Sequence, residues 1–326
     1  MAMRGTAVMR RAASVRPTAR AGAAAGRRRR MIGRHWQLYF VIALPMAFLV
    51  TFNYWPLIGL QIAFRNYNPI QGMWHSPWVG LSQFRAFIDG PYFWPVLRNT
   101  LRISLYSIVI GTPATIILAL AINEVKHARF KRLAQMVSYA PYFISTVVVV
   151  GIIQIVLSPD SGPLLQIAKL FGVHHLPNLM ASPSAFPSIY VWSGIWQETG
   201  YGAVIYLAAL SSVNPELYEA ARIDGASRLQ RIRHIDLPSI TPTIVILLVM
   251  SVAGLLNVGF EKAFLLQNPL NNSSSEVIST YVYKTGLLDS NFSFAAAVGL
   301  FNSIVGLVLL VIVNFVARFV SDESLF

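Results

Sequence analysis

The sequence contains no cysteine. That excludes a disulfide framework, a thiolate nucleophile and any Cys-ligated metal or cluster. Charge is nearly as scarce. Only 12% of the 326 residues are Asp, Glu, Lys or Arg, and 55% are hydrophobic; an ordinary soluble domain carries roughly 25% charged residues. So little charge cannot coat a soluble surface of this size, which disfavours a water-soluble enzyme. Acidic residues are missing altogether from residues 1–35, which hold ten arginines. The other 291 residues carry 16 Lys or Arg against 13 Asp or Glu. The net charge of +13 is therefore mostly a basic tail on a near-neutral body, and no basic-aromatic nucleic-acid module is present. There is no Gly-x4-Gly-Lys-[Ser/Thr] phosphate loop and no Gly-Lys dipeptide at all. None of the six histidines has metal-ligand spacing; His174 and His175 are merely adjacent. No Ser/His/Asp arrangement is legible either.

What the chain has instead is long apolar runs. Residues 36–64, 103–123, 133–159, 237–260 and 290–317 are free of charge, and 185–213 contains one charge, Glu198. A bilayer-spanning helix needs about 20 apolar residues to cover roughly 30 Å of hydrocarbon. The pattern predicts an all-α polytopic membrane protein with six transmembrane helices in a membrane domain over 36–320. Lys and Arg set the orientation, because they concentrate in cytoplasmic loops. With the N-terminus inside, 19 of them are cytoplasmic, including Lys126, Lys131, Arg222, Arg233 and Arg318, and only seven are external. Both termini are thus expected in the cytoplasm. Trp55, Trp74, Trp78 and Trp94 gather around the first external loop, as interfacial aromatics do.

The arginine-rich segment 1–35 has no apolar period and reads as a disordered cytoplasmic tail, and 321–326 as a short one. A cleavable signal peptide fits poorly. The first apolar run is about twice the usual length of such a core, and no small-residue cleavage site follows.

The cytoplasmic loop 214–236 is the most informative segment. Asn214 is a good N-cap, Pro215 suits the first helical position, and Glu216 and Glu219 sit at the positive end of the helix dipole. Gly225 supplies a stop, Ser227 can cap a second helical stretch, and Pro238 opens the next span. Ala220 and Ala221 are small enough for another protein surface to approach closely. The reading is a protruding docking knob.

The spacing Glu-Ala-Ala-x3-Gly-x9-Ile-x-Leu-Pro is met at Glu219, Ala220, Ala221, Gly225, Ile235, Leu237 and Pro238. It resembles the EAA loop of permease subunits in binding-protein-dependent ABC importers. The likeness extends from Trp36 to Arg318. Tyr139-Ala140-Pro141-Tyr142-Phe143-Ile144-Ser145 is similar to the carbohydrate-uptake branch related to maltose permeases. Leu256-Asn257-Val258-Gly259-Phe260-Glu261-Lys262, Gln267-Asn268-Pro269-Leu270 and Val277-Ile278-Ser279-Thr280-Tyr281-Val282-Tyr283 resemble the polysaccharide-type permeases, a branch that includes an alginate importer subunit. The resemblance implies a maltose-permease-type fold and a coupling helix seated in a cleft on a separate ATP-binding subunit, with Asp224 part of the docking loop. It also implies a second homologous permease, two ATPase copies and an extracytoplasmic solute-binding protein. ATP and Mg would lie on the ATPase and no cofactor on this chain. The implied cargo is an oligo- or polysaccharide, acidic like alginate or alternatively neutral.

Glu198 is the one ionisable group inside a predicted span, about 22 Å from its cytoplasmic end at 1.5 Å per residue. Such a group faces a helix interface or a cavity, or lies in the headgroup region. Trp192, Trp196, Gln197 and Tyr201 surround it in sequence, and aromatic faces with amides suit sugar rings as well as interfaces. Asn257 and Asn302 join them as pathway candidates, with helix–helix hydrogen bonding as the alternative. A secondary transporter or channel is the rival class. It calls for inverted repeats, several membrane carboxylates or a selectivity motif, and one carboxylate is present.

Overall fold

A computed structural model describes residues 36–320; the expected tails at 1–35 and 321–326 lie outside the described residues, as does the side chain of Arg318. The chain divides into two units, Met1–Gly59 and Leu60–Phe326. In the first, helix α1 (Trp36–Leu49) passes into a π turn (Val50–Tyr54) and a 3-10 segment from Trp55. The π turn has a local cause. Pro56 lacks an N–H, and its ring collides with the carbonyl four residues back. Trp55 donates to the Val50 carbonyl, five residues back, which widens the helix just before the proline.

The second unit is helical, and among the described residues it holds no strand beyond an isolated bridge between Arg65 and Trp78. Its main elements are α2 (Ser82–Ile88), α3 (Phe93–Asn123), α4 (Ala128–Tyr139), α5 (Thr146–Val156), α6 (Phe186–Ser211), α7 (Pro215–Ile223), α8 (Arg228–Ala253), α9 (Phe260–Leu266), α10 (Ile278–Tyr283) and α11 (Phe292–Val320). Helices α3 and α6 pack along their lengths and form the spine. At one end Ala119, Leu120, Ala203, Tyr206, Leu210 and Ile240 close a core between α3, α6 and α8. At the other, Ile103, Val150, Phe186, Val191, Ala263, Leu266 and Val277 close a second. A third, aromatic core joins Phe87, Phe93, Val96, Leu256, Ile278 and Val298.

Four helices among the described residues are long and apolar enough to cross a membrane: Gln37–Phe64, Phe93–Asn123, Arg228–Ala253 and Phe292–Ala317. The pair Ala128–Phe143 and Thr146–Val156 makes a fifth only if it is one span, for it bends by 98°. The apolar run 133–159 is therefore not one straight helix. Pro141 ends the ladder in a 3-10 turn, Ile144 and Ser145 are extended, and Ser145 caps α5 by accepting from the Val148 N–H. Gln197 of α6 donates to the freed Ile144 carbonyl at 3.0 Å. Helix α6, the expected fourth span, is 26 residues long but too polar to count with the four. Two other boundaries differ from the charge-free runs. Helix α3 starts at Phe93, so Arg98 and Arg102 lie on its first turns. The run 237–260 stops being helical at Ala253, and residues 254–259 form an irregular turn.

One crossing is held at backbone distance. Gly200 of α6 lies against the Ser138 carbonyl of α4, and a Cβ at that position would overlap it. Beyond α9, a polar web fixes the chain where helices are short. Asn271, 1% exposed, donates to the Met180 and Leu266 carbonyls and accepts from Asn268 N–H and Ser275 Oγ. Glu276 pairs with Lys284 at 2.6 Å.

Candidate functional site

The loop between α6 and α8 folds as its local chemistry dictates. Asn214 Oδ1 accepts from the Glu216 N–H at 3.0 Å, with Pro215 opening α7. At the other end Ala226 N–H reaches back to the Ala221 carbonyl at 2.8 Å. That closure requires Gly225 at φ +75°, where a β-carbon is strained. Ser227 and Gln230 form a reciprocal capping box at the start of α8. Helix α8 then runs unbroken through Pro238 instead of opening at it. As before Pro56, a π turn (Ile232–Asp236) precedes the proline, and Leu237 N–H bonds Ile232 O.

Tertiary contacts tie this loop to the helix ends. Tyr218 Oη donates to Oδ1 of Asp236, a carboxylate with no exposed surface, whose Oδ2 has no hydrogen-bond partner among the described residues. Burial and the Asp236 hydrogen bond and charge push the Tyr218 phenol well above its usual range. Arg231 pairs with Glu124, just beyond α3, at 3.6 Å. The helical period sends Tyr218 and Ala221 inward and leaves Glu219, Ala220, Asp224 and Gly225 exposed. Leu217, Ile223 and Leu229 are exposed beside them, at 50%, 87% and 75%. Ile235 and Leu237 are half-buried at the base, and Pro238 is exposed. The result is an apolar-and-acidic knob whose root grips two long helices.

A second feature lies between those helices. A cavity of about 610 Å³ is walled by α3, α6 and residues 251–262. On α3 it meets Ser104, Ser107, Gly111, Thr112 and Thr115, which recur at helical spacing; on α6 it meets Tyr190, Gly194, Glu198 and Gly202. Of the pathway candidates, Glu198 and Asn257 line it, and Asn302 reaches it through a 3.0 Å bond from its Nδ2 to Asn257 Oδ1. Trp192, Trp196, Gln197 and Tyr201 occupy other faces of α6 and are not brought into it. Trp192 Nε1 donates to Tyr106 Oη at 3.0 Å, and Tyr201 stacks on Tyr142 at 4.1 Å. Gln197 braces the α4–α5 break, as above, and Trp196 is half exposed.

Lys262, which the sequence places in the segment 256–262 but does not single out as a pathway group, also lines the cavity. It is 8% exposed, and its Nζ lies 5.0 Å from the centre of the Tyr190 ring. Gly194 makes room for it, since a Cβ there would stand 3.3 Å from the Nζ. Among the described residues Lys262 has no carboxylate within 4.0 Å. Burial pushes its ammonium down to about 8, against the pull of the Glu198 charge. The usable signal was the segment 256–262 itself, together with the hydroxyl stripe of α3.

Comparison with known proteins gives concordant matches. The family profile described as "Binding-protein-dependent transport system inner membrane component" matches residues 111–322. Protein LplB of Bacillus subtilis (strain 168) is 38% identical over 89% of this chain and 91% of its own length. The polygalacturonan/rhamnogalacturonan transport system permease protein YteP of the same organism is also 38% identical, over 89% and 90%. The crystal structure of a bacterial ABC transporter involved in the import of the acidic polysaccharide alginate contains a chain that superposes with a TM-score of 0.83. It is 38% identical, over 90% of this chain and 99% of that one.

Proposed function

This chain belongs to the family of binding-protein-dependent transport system inner membrane components, and from that premise we propose that it forms half of the translocation pathway of an ATP-driven importer for an acidic oligo- or polysaccharide. As a member of that family it is a multi-pass, non-catalytic permease subunit with the ABC importer permease fold. The proposed topology has six spans, α6 and the bent α4–α5 pair included, with both termini cytoplasmic. A second homologous permease supplies the other half. Two ATP-binding subunits hold ATP and Mg, and an extracytoplasmic binding protein delivers the cargo. Similar proteins support that cargo class: one is named for polygalacturonan, whose units carry carboxylates, and one for alginate. A related structure holds the alginate transporter in complex with its pentasaccharide-bound periplasmic protein.

The observation that carries the coupling reading is the knob at α7. Closure of the ATPase dimer moves the cleft that holds Glu219–Gly225, and the knob follows. Because Tyr218 is bonded to Asp236 in α8, and Arg231 of α8 to Glu124 beyond α3, the displacement reaches the helices that wall the cavity. Exposed Glu219 offers a charge-assisted contact in that cleft. Rigid helices moved at one end reorient at the other, which is alternating access.

The test is reconstitution in liposomes with the partner permease, ATPase and saccharide-loaded binding protein. Glu219→Ala and Gly225→Pro are expected to abolish saccharide-dependent ATP hydrolysis and uptake while the chain still reaches the membrane. Normal coupling in both variants would overturn the docking assignment. Uptake of a neutral oligosaccharide in preference to an acidic one would overturn the cargo class.

A further inference from the structure

We propose that Lys262 is the group in the cavity that receives a carboxylate of the transported saccharide, with Tyr190 seating the sugar ring beside it. The proposal rests on the carbohydrate reading above and assigns it a residue. A buried ammonium without an anionic partner is unfavourable unless something compensates for its lost hydration. The face of Tyr190 at 5.0 Å supplies part of that compensation and the more distant Glu198 charge another part, but among the described residues no carboxylate stands within 4.0 Å to complete it. The charged or titratable groups around Lys262 are few. Helix α6 contributes Tyr190 and Glu198, α5 has none along its length, and Glu261 on α9 itself is exposed. Glu198 therefore shares the cavity without closing an ion pair, and the position opposite Lys262 is left for an anion.

The ligand class follows from the rest of the wall. A cavity of about 610 Å³ falls within the roughly 300–1,000 Å³ of small-molecule sites. A stripe of hydroxyls on α3 and the Asn257 amide offer both donors and acceptors to ring hydroxyls. Gly194, Gly202 and Gly259 lie against the Lys262, Thr115 and Tyr190 side chains, which a Cβ at each position would crowd, so these glycines let the three polar groups reach into the cavity. Glu198, an acceptor when ionised, suits hydroxyl groups and repels a carboxylate. A uronate ring fits this polarity in one sense only, with its carboxylate toward Lys262 and its hydroxyls toward Glu198.

The measurement is titration calorimetry on the assembled importer in nanodiscs without binding protein, so that permease recognition is read alone. The probes are trigalacturonate and the same trisaccharide with its carboxylates reduced to hydroxymethyl groups. Wild type is expected to prefer the acidic probe. Lys262→Met should lose about ten- to a hundredfold in affinity for it, the worth of one charge-assisted hydrogen bond, and change little toward the neutral probe. Lys262→Arg should keep the preference. Equal loss on both probes, as a structural defect would give, overturns the assignment; so does unchanged affinity in Lys262→Met. Absence of wild-type binding to either probe, with saccharide uptake intact in liposomes, overturns this site and leaves the importer reading standing.

Discussion

The phenol of Tyr218 and the carboxylate of Asp236 are the smallest unit on which the proposed coupling would depend. Removing the hydroxyl with Tyr218→Phe leaves a buried carboxylate without its donor, a loss of about 1–3 kcal/mol. The expected readouts are a lower melting temperature of the purified complex and weaker saccharide-dependent ATP hydrolysis. Adding Asp236→Leu to Tyr218→Phe should cost less than the two single changes summed, because the orphaned charge is gone. The pH signs differ between this residue and Lys262. Tyr218 has a folded pKa above its ordinary value of 10, so the stability it contributes is present below that value and lost as pH rises through the folded one. Its bond to Asp236 is thus intact throughout the neutral range. Lys262 is depressed to about 8, so its ammonium is present at neutral pH and disappears as pH rises through 8. Affinity for trigalacturonate is expected to fall over that window and to stay level in Lys262→Arg, whose guanidinium does not titrate there.

Elements here are shaped by a few residues with single jobs. Gly200 lets α4 and α6 cross at backbone contact, and Gly200→Ala must force them apart at Ser138. Overpacking of this kind costs about 1–3 kcal/mol, or more where backbone has to move; reduced folded yield and an earlier thermal transition should report it. Gly225 acts through conformation alone, since a Cβ there meets open space but φ is +75°. Gly225→Ala should destabilise the loop by about 1 kcal/mol, and Gly225→Asn by less, because asparagine tolerates the left-handed region. These local devices were legible in the sequence. Asn214, Pro215, Gly225 and Ser227 act on backbone groups within four residues, so their order along the chain fixes the geometry. The α4–α5 break was not legible. Its apolar run continues straight through Pro141, and the Ile144 carbonyl at the break is met by Gln197 from another helix.

For the molecule as a whole, the missing cysteines become a tool. Single cysteines can be introduced without removing native ones, and two exposed leucines test the proposed orientation from opposite sides. Leu229→Cys, in the loop segment opening α8, is expected to react with a membrane-impermeant maleimide only in inverted vesicles. Leu170→Cys, at 84% exposure before α6, should react only in right-side-out ones. The reverse pattern would refute the orientation inferred from Lys and Arg. The sequence by itself determined the helical class, the family and the local form of the loop 214–236, because hydropathy, capping and motif spacing are properties of neighbouring residues. It also named Glu198, Asn257 and Asn302. Only the tertiary structure decided that these three belong to the cavity region while Trp192, Trp196, Gln197 and Tyr201 do not, and that Lys262, 64 residues beyond Glu198, enters the same space. The reason is that a cavity wall is made by facing helices. Which face of α6 turns toward α3 is set by close packing at Gly200, Gly202 and the two end cores, and no single stretch of sequence encodes that rotation.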